Sequence, residues 1–155
     1  MEIYKNENID RGKNMEKRMN AVLDEVQKVI VGKQTVIEKV LMAILAQGHI
    51  LLDDVPGVGK TTLAVALSRA LGLDYQRIQF TPDVLPSDIV GFSLYEKESG
   101  SLRYMPGVVT RTNLLLADEI NRTSSKTQSA LLEAMEEKQV TVDGQVHPLE
   151  NPEIL

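Results

Sequence analysis

One short segment constrains this chain more than any other: the glycine-rich turn Gly57-Val58-Gly59, followed directly by Lys60-Thr61-Thr62. The apolar run His49–Asp53 precedes it and predicts a buried strand. An apolar pattern at helical spacing, from Leu63 to Leu71, follows it and predicts a helix. Glycines let backbone N–H groups approach phosphate oxygens closely, and a helix N-terminus adds further donors and its dipole. The segment therefore predicts a phosphate-binding loop.

In such a loop, Lys60 would reach the β- and γ-phosphates of a nucleotide, and the Thr61 hydroxyl would ligate Mg²⁺. The full pattern G-x-x-x-x-G-K-[ST] has glycine at its first position, where this chain has Asp54. The alternative is a glycine turn with an exposed lysine, which would not require a strand before it and a helix after it. We assign nucleotide binding to Pro56, Gly57, Val58, Gly59, Lys60, Thr61 and Thr62.

A second motif lies at Leu114-Leu115-Leu116-Ala117-Asp118-Glu119, an apolar strand that ends in two adjacent carboxylates. Asp118 would hold Mg²⁺, mostly through water, because Mg²⁺ gives up its hydration shell reluctantly. Glu119 would act as the general base that polarises an attacking water. Alone, the pair could be two solvated acids at a strand end. Beside a phosphate loop, the two motifs divide the work: the loop grips phosphate and the carboxylates place metal and water.

The order strand, loop, helix, strand predicts a parallel sheet with crossover helices. Most of the other elements follow from periodicity and turn residues. They are a helix near 14–31, a helix over 36–45, a strand over Tyr75–Phe80, a short helix capped by Thr81 with Pro82 at its first position, a hairpin over Phe92–Met105, a capping box at Ser125–Gln128, and a hairpin over Val140–His147 with a type I′ turn at Asp143-Gly144.

Composition narrows the function further. The chain has no cysteine, 17 basic and 22 acidic side chains and a net charge of −5, which argues against thiolate metal sites and non-specific nucleic-acid binding. We expect no membrane insertion and no signal peptide, hence a cytoplasmic protein, with a flexible arm over 1–13 and one domain over 14–155. His49 is expected in the core or at a strand edge, and His147 at the surface. Arg122 is either a solvated loop charge or a contact to phosphate or a neighbouring subunit.

The two motifs, with Pro56 and the tandem Asp118-Glu119, resemble those of AAA+ ATPases. Three longer stretches, Gln79–Ile89, Leu115–Arg122 and Lys126–Met135, resemble the MoxR branch, whose members often carry Asp at the position of Asp54. The resemblance implies a P-loop NTPase fold, an α/β/α arrangement of three layers around a parallel sheet. It also implies that the hairpin at Phe92–Met105 is an insert in the second helix and that Val31 and Gly32 lie near the adenine.

The resemblance further implies ATP and Mg²⁺ as ligands, ATP hydrolysis, a ring that is usually a hexamer, and chaperone-like maturation of client proteins, often with a partner bearing a von Willebrand factor A domain. It predicts that the chain ends before a core strand lying between the strands that end at Asp118 and Asp53, so that 14–155 form an incomplete core which binds nucleotide weakly and hydrolyses it poorly. Two alternatives stay open: a small P-loop phosphotransferase, and a nucleotide-regulated binding module without turnover.

Overall fold

A computed structural model describes residues 2–53, 59–149 and 153–154 of the 155-residue chain; for residues 2–13 and 153 it describes the backbone alone. Helices and strands alternate along most of this sequence, as expected for an α/β protein. The helices are α1 (Glu2–Gln27), α2 (Gln34–Leu45), α3 (Lys60–Leu71), α4 (Pro86–Val90) and α5 (Ser125–Glu137). The strands are β1 (Tyr75–Gln79), β2 (Gly91–Glu96), β3 (Ser101–Pro106), β4 (Leu114–Asp118), β5 (Gln139–Val142), β6 (Gln145–Pro148) and β7 (Glu153–Ile154).

A parallel sheet of three strands, in the order β1-β4-β7, forms the centre of the fold. In β1 and β4, Tyr75 pairs with Leu114 and Gln79 with Asp118, so both strands end at the same edge. Within the described residues, β7 pairs with the first two residues of β4. The predicted parallel sheet is confirmed, with β4 as its central strand.

The sheet carries a separate hydrophobic cluster on each face, because alternate residues of a strand point to opposite sides. On one side, which we call the α3 face, Leu114 and Leu116 pack with buried residues of α1, α2 and α3. On the other side, the α5 face, Leu115 packs with Phe80, Ile89 and Leu131. Asp118 has the same parity as Leu114 and Leu116, so its side chain belongs to the α3 face.

The segment His49–Asp53 is not the regular buried strand that its composition predicts. Leu51 is 86% exposed, and the segment joins the sheet through Ile154: the Ile50 N–H donates to the Ile154 carbonyl at 2.9 Å, and the Ile154 N–H donates to Nδ1 of His49 at 3.2 Å. β7 therefore lies between β4 and this segment, at the predicted place of the strand that we expected to be missing. Glu153–Ile154 occupy the place where that strand was expected to begin, and burial of Ile154 on the α5 face, at 4% exposure, packs them into the sheet. The incompleteness of the core stays a prediction.

Both predicted hairpins are confirmed. β2 and β3 pair antiparallel, as do β5 and β6. Asp143 and Gly144 have φ of 48° and 77°, and a type I′ turn needs positive φ at both central positions. The hairpins meet where the rings of Tyr104 and His147 stack at 3.6 Å between centroids. At the base of the first hairpin, a Cβ on Gly91 would lie 2.4 Å from the Met105 carbonyl oxygen, so only glycine fits there.

Two predicted helix starts were wrong. Thr81 and Pro82 begin a β-turn instead, in which the Val84 N–H donates to the Thr81 carbonyl at 3.2 Å, and Pro is equally suited to the second position of such a turn. Helix α4 begins only at Pro86. Helix α5 is capped by Ser124, one residue before the predicted capping box, because its hydroxyl accepts a hydrogen bond from the Thr127 N–H.

Helix α1 begins at Glu2, not near residue 14, and it ends at Gln27. The segment 2–13 lacks apolar periodicity, but no proline interrupts it, so the helix that packs on the core through Val22, Leu23 and Val26 can continue toward the N-terminus. The division of the chain into an arm and a core stays a prediction. Within the described part of the chain, none of the helices combines the length and apolarity needed to cross a membrane.

Candidate functional site

The N-terminus of α3 has the features that a phosphate site requires. Gly59 precedes the helix in the left-handed conformation, with φ of 87°, and Lys60 is the first helical residue. No side chain among the described residues caps this end of the helix. The first backbone N–H groups of α3 are therefore available to an anion, together with the positive end of the helix dipole. Asp54, Pro56, Gly57 and Val58 lie outside the described residues.

A cavity of about 240 Å³ opens beside Lys60. Its wall combines Gly59 and Lys60 with Asp53 from the preceding segment and with Ile30 and Lys33 from the turn between α1 and α2. Val31 and Gly32, predicted to lie near an adenine, belong to that turn but are not part of the wall, and Val31 is 87% exposed. The structure thus places this turn in the same cavity wall as Gly59 and Lys60, through the flanking Ile30 and Lys33 and not through the predicted pair.

The two threonines after Lys60 point elsewhere. Thr61 and Thr62 line another cavity, of about 660 Å³, whose wall includes Glu25 and Val29 near the end of α1. Both threonines are exposed, and neither lines the cavity beside Lys60. In this arrangement Lys60 and Thr61 therefore border different cavities, although the loop motif assigns both to one ligand.

Asp118 lies at the carboxyl end of β4, with its side chain 28% exposed on the α3 face. Its Oδ2 accepts a hydrogen bond from Nη2 of Arg77 at 2.7 Å. Arg77 is directly opposite Leu116, so its guanidinium reaches diagonally along β4 to contact Asp118, a distance that a long side chain can span. Sequence reasoning missed Arg77. Arg77 and Gln79 are two residues apart and therefore lie on the same face of β1. This relation points to Asp118 only once the register of β1 and β4 is known.

Glu119 follows directly and adopts a left-handed backbone conformation, with φ of 57° and ψ of 41°. Such a conformation is strained for a residue with a Cβ, and strain of this kind is concentrated at functional sites. Its Oε2 accepts a hydrogen bond from Nη1 of Arg122 at 2.6 Å. Arg122 is thus an exposed loop charge, 57% accessible, that pairs with Glu119, and its contact to phosphate or a neighbouring subunit stays a prediction. Each of the two adjacent carboxylates is paired with an arginine of its own.

Tyr75, at the start of β1, has a shifted acidity. Burial raises the pKa of its phenol above the usual value of 10.0. The nearby charge of Arg77 lowers this pKa and that of Asp118 raises it, both by less than burial does. The phenol oxygen is buried and has no hydrogen-bond partner among the described residues, so the environment stabilises the neutral form.

Neither histidine belongs to the site. His49 links two elements, because its Nδ1 accepts from the Ile154 N–H and its Nε2 contacts the Met135 carbonyl, both at 3.2 Å. This agrees with its predicted position in the core or at a strand edge. His147 was expected at the surface, and that was wrong: the stack on Tyr104 leaves it partly buried, with Nε2 inaccessible.

Comparison with known proteins agrees with this geometry. Residues 49–155 match the model of the ATPase family associated with various cellular activities (AAA). The chain is 52% identical over 134 residues to the uncharacterised protein YeaC of Bacillus subtilis, and 44% identical over 128 residues to chaperone MoxR1 of Mycobacterium tuberculosis. These alignments cover 86% and 83% of this chain, but 42% and 34% of the two relatives.

A crystal structure of a proposed ATPase from Cytophaga hutchinsonii superimposes with a TM-score of 0.82 at 44% identity. The match covers 99% of this chain and 46% of the other. The chain therefore belongs to the AAA family of ATPases, and the relatives named MoxR, at 37–44% identity, place it in the MoxR branch of that family.

Proposed function

We propose that this chain binds ATP and hydrolyses it in a Mg²⁺-dependent reaction, as part of a MoxR-like machine that remodels or matures other proteins. The observation that carries the proposal is the juxtaposition on the α3 face. The uncapped N-terminus of α3 begins with Lys60, and the sheet on which α3 packs ends with the side chain of Asp118 on that same face. A phosphate grip and a metal-binding carboxylate on one side of one sheet are the parts that nucleotide hydrolysis needs.

In this proposal each residue of the candidate site has a defined role. The Gly59 and Lys60 backbone and the Lys60 ammonium hold the phosphates, while the cavity beside Lys60 receives the base. At about 240 Å³ it is smaller than the ~300–1,000 Å³ of pockets for whole drug-sized ligands, so it suits a base alone. Pro56, Gly57 and Val58 would complete the loop, with Val31 and Gly32 near the base.

Asp118 and Thr61 would hold Mg²⁺, since both offer the oxygen ligands that this ion prefers. None of the described residues form a cluster of three acidic, histidine or cysteine side chains, so the protein would share the ion with the nucleotide phosphates. Bound Mg²⁺ supplies charge neutralisation at those phosphates. For this, Thr61 must leave the cavity it now lines, while Glu119, as general base, must accept a proton from the attacking water.

A second candidate has one observation in its favour. Arg122 occupies the Glu119 carboxylate at 2.6 Å, which keeps the proposed base engaged. A nucleotide-regulated binding module without turnover would need no more than this arrangement. Retained hydrolysis that depends on Glu119 would exclude it.

The wider role is also a proposal. The Mycobacterium relative is named a chaperone, which supports client remodelling as the outcome of the ATPase cycle. We infer a ring, most simply a hexamer, in the cytoplasm, and a partner with a von Willebrand factor A domain. Light scattering in the presence of Mg-ATP would test the ring: a species of about six chains is expected, and a monomer at all nucleotide concentrations would contradict it.

The first experiment is thermal unfolding with and without Mg-ATP. Ligand at about 100 times its Kd should stabilise the fold by ~2.7 kcal/mol, which raises Tm by about 5–10 °C for a domain of this size. Lys60→Ala should abolish the shift. Lys126→Ala removes the same charge from an exposed position at the start of α5, on the other face of the sheet, and should keep the shift. An equal shift in both variants would contradict the proposed phosphate site.

A further inference from the structure

The Arg77–Asp118 ion pair is the feature of the site that the proposed roles leave unexplained. Arg77 stands on β1 and engages one oxygen of the proposed metal ligand. It contributes nothing to the predicted motifs, and it lies on a different strand from both of them. Its position follows from the register alone, which sets Arg77 two residues before the partner of Asp118 on the same face.

We propose that Arg77 is a resident counter-cation of Asp118, which holds the place of the divalent ion and sets the concentration at which that ion binds. This inference rests on the proposed function. Among the described residues, Arg77 pairs with Asp118 and not with Lys60 or Glu119, so it acts on the metal through Asp118. It is a positioning residue, not a catalytic one.

The Arg77–Asp118 ion pair is accessible to water. The Arg77 and Asp118 side chains are 41% and 28% exposed, so water can replace the guanidinium at modest cost. The carboxylate also has a second oxygen, Oδ1, for a metal-bound water. A divalent cation can therefore join the pair or displace Arg77 from it. In both cases the guanidinium charge opposes the incoming charge.

The expected size of this opposition follows from Coulomb's law. A monovalent and a divalent cation about 6 Å apart repel each other enough to change affinity about tenfold in a water-like dielectric, and salt reduces the effect. Removing the charge at position 77 should therefore tighten metal binding by about three- to tenfold. If Arg77 served only to orient Asp118, the change in metal affinity would have the opposite sign, because loss of the arginine would weaken metal binding.

The test is a Mn²⁺ titration of the nucleotide-loaded chain, in which electron paramagnetic resonance measures free Mn²⁺ in the presence of a non-hydrolysable ATP analogue. Arg77→Gln should bind Mn²⁺ about three- to tenfold more tightly than the unsubstituted chain. Arg77→Lys, which keeps the charge, should stay close to it. Arg103→Gln is the matched control, since Arg103 is a 69% exposed arginine that pairs with Glu96 in the β2–β3 hairpin.

Two further arms make the outcome decisive. The gain from Arg77→Gln should disappear when Asp118→Asn is added, and it should shrink at high salt. Unchanged or weaker Mn²⁺ binding in Arg77→Gln would overturn the proposal. Binding of a fluorescent ATP analogue in EDTA, measured on the same variants, tests the phosphate site without metal. If that binding fails in the unsubstituted chain, the proposed function fails; if it holds and the Mn²⁺ affinities do not separate, only the role of Arg77 fails.

Discussion

The two faces of the central sheet differ in how completely their side chains are buried. On the α5 face, Phe80, Ile89 and Leu131 are fully buried, and the buried Thr127 hydroxyl donates to the Val84 carbonyl at 2.8 Å. On the α3 face the core is as well buried near α2, but toward the strand ends it opens into cavities and ion-paired carboxylates. The difference teaches that one face serves as a rigid support, so that the other can hold groups that change partners.

The largest expected effect is on the rate of ATP hydrolysis, with thermal stability unchanged. Glu119→Gln should lower the ATP hydrolysis rate by about 10²- to 10⁴-fold, the usual contribution of a general base, without lowering Tm. The Mg-ATP-induced rise in Tm should remain, because Glu119 does not grip phosphate. Phosphate release and thermal unfolding, measured on one preparation, check both statements. An unchanged rate would remove Glu119 from the role of base.

The next effect concerns the α5 face. Leu131→Ala should reduce the free energy of unfolding by about 2–5 kcal/mol, since Leu131 is fully buried and the substitution leaves a cavity. Leu132 is its neighbour on α5 and 56% exposed, so Leu132→Ala should change stability by only about 0.5 kcal/mol. Urea unfolding of the two variants gives the comparison. Equal losses would contradict the description of this face as a rigid support.

A smaller effect is expected at the β2–β3 hairpin. Gly91→Ala introduces a Cβ 2.4 Å from the Met105 carbonyl oxygen at φ of 96°, so we expect a loss of about 1–3 kcal/mol beyond that of Gly100→Ala. Gly100 at the hairpin tip also has a positive φ, of 65°, but open space around it. The pair thus shares the backbone strain and differs in the clash. Equal urea midpoints for the two variants would show that the backbone at the base of the hairpin can shift to accommodate the added Cβ.

The smallest effect is a pH dependence on the α3 face. Burial raises the folded-state pKa of Tyr75 above 10.0, so folding favours its protonated form. Its contribution is fully present below pH 10 and is lost as pH rises through the folded-state pKa. Tyr75→Phe should therefore lose less stability than the unsubstituted chain between about pH 9 and pH 11. Urea unfolding across this range measures the difference, and parallel curves would show that the phenol is solvated.

Local sequence rules predicted the parts of the fold that local chemistry decides. The glycine before Lys60, the Asp143-Gly144 turn and the apolar run of β4 each specify their conformation within a few residues. The rules failed where one sequence suits two local structures. Pro82 suits both a helix start and a β-turn, and consecutive serines at 124 and 125 can both cap a helix, so tertiary contacts of Thr127 decide between them.

The pairings of the candidate site residues could not be predicted from the sequence. The motifs nominated Lys60, Asp118 and Glu119, and the roles of these residues stay predictions. The ion pair of Asp118 depends on the strand register, which joins residues 41 positions apart and leaves no trace in either local segment. The exposure of Leu51 was equally hidden, because an apolar run does not reveal which neighbours cover its side chains.

The left-handed backbone of Glu119 has a consequence for how this position can vary. At φ of 57°, glycine would avoid a conformational cost of about 1–2 kcal/mol that any residue with a Cβ must carry. A more stable chain is thus one substitution away, and it would lack the carboxylate. Under the proposed role of Glu119 as general base, glutamate trades stability for a reactive group, so mutational drift toward stability and selection for turnover should favour different residues at this position.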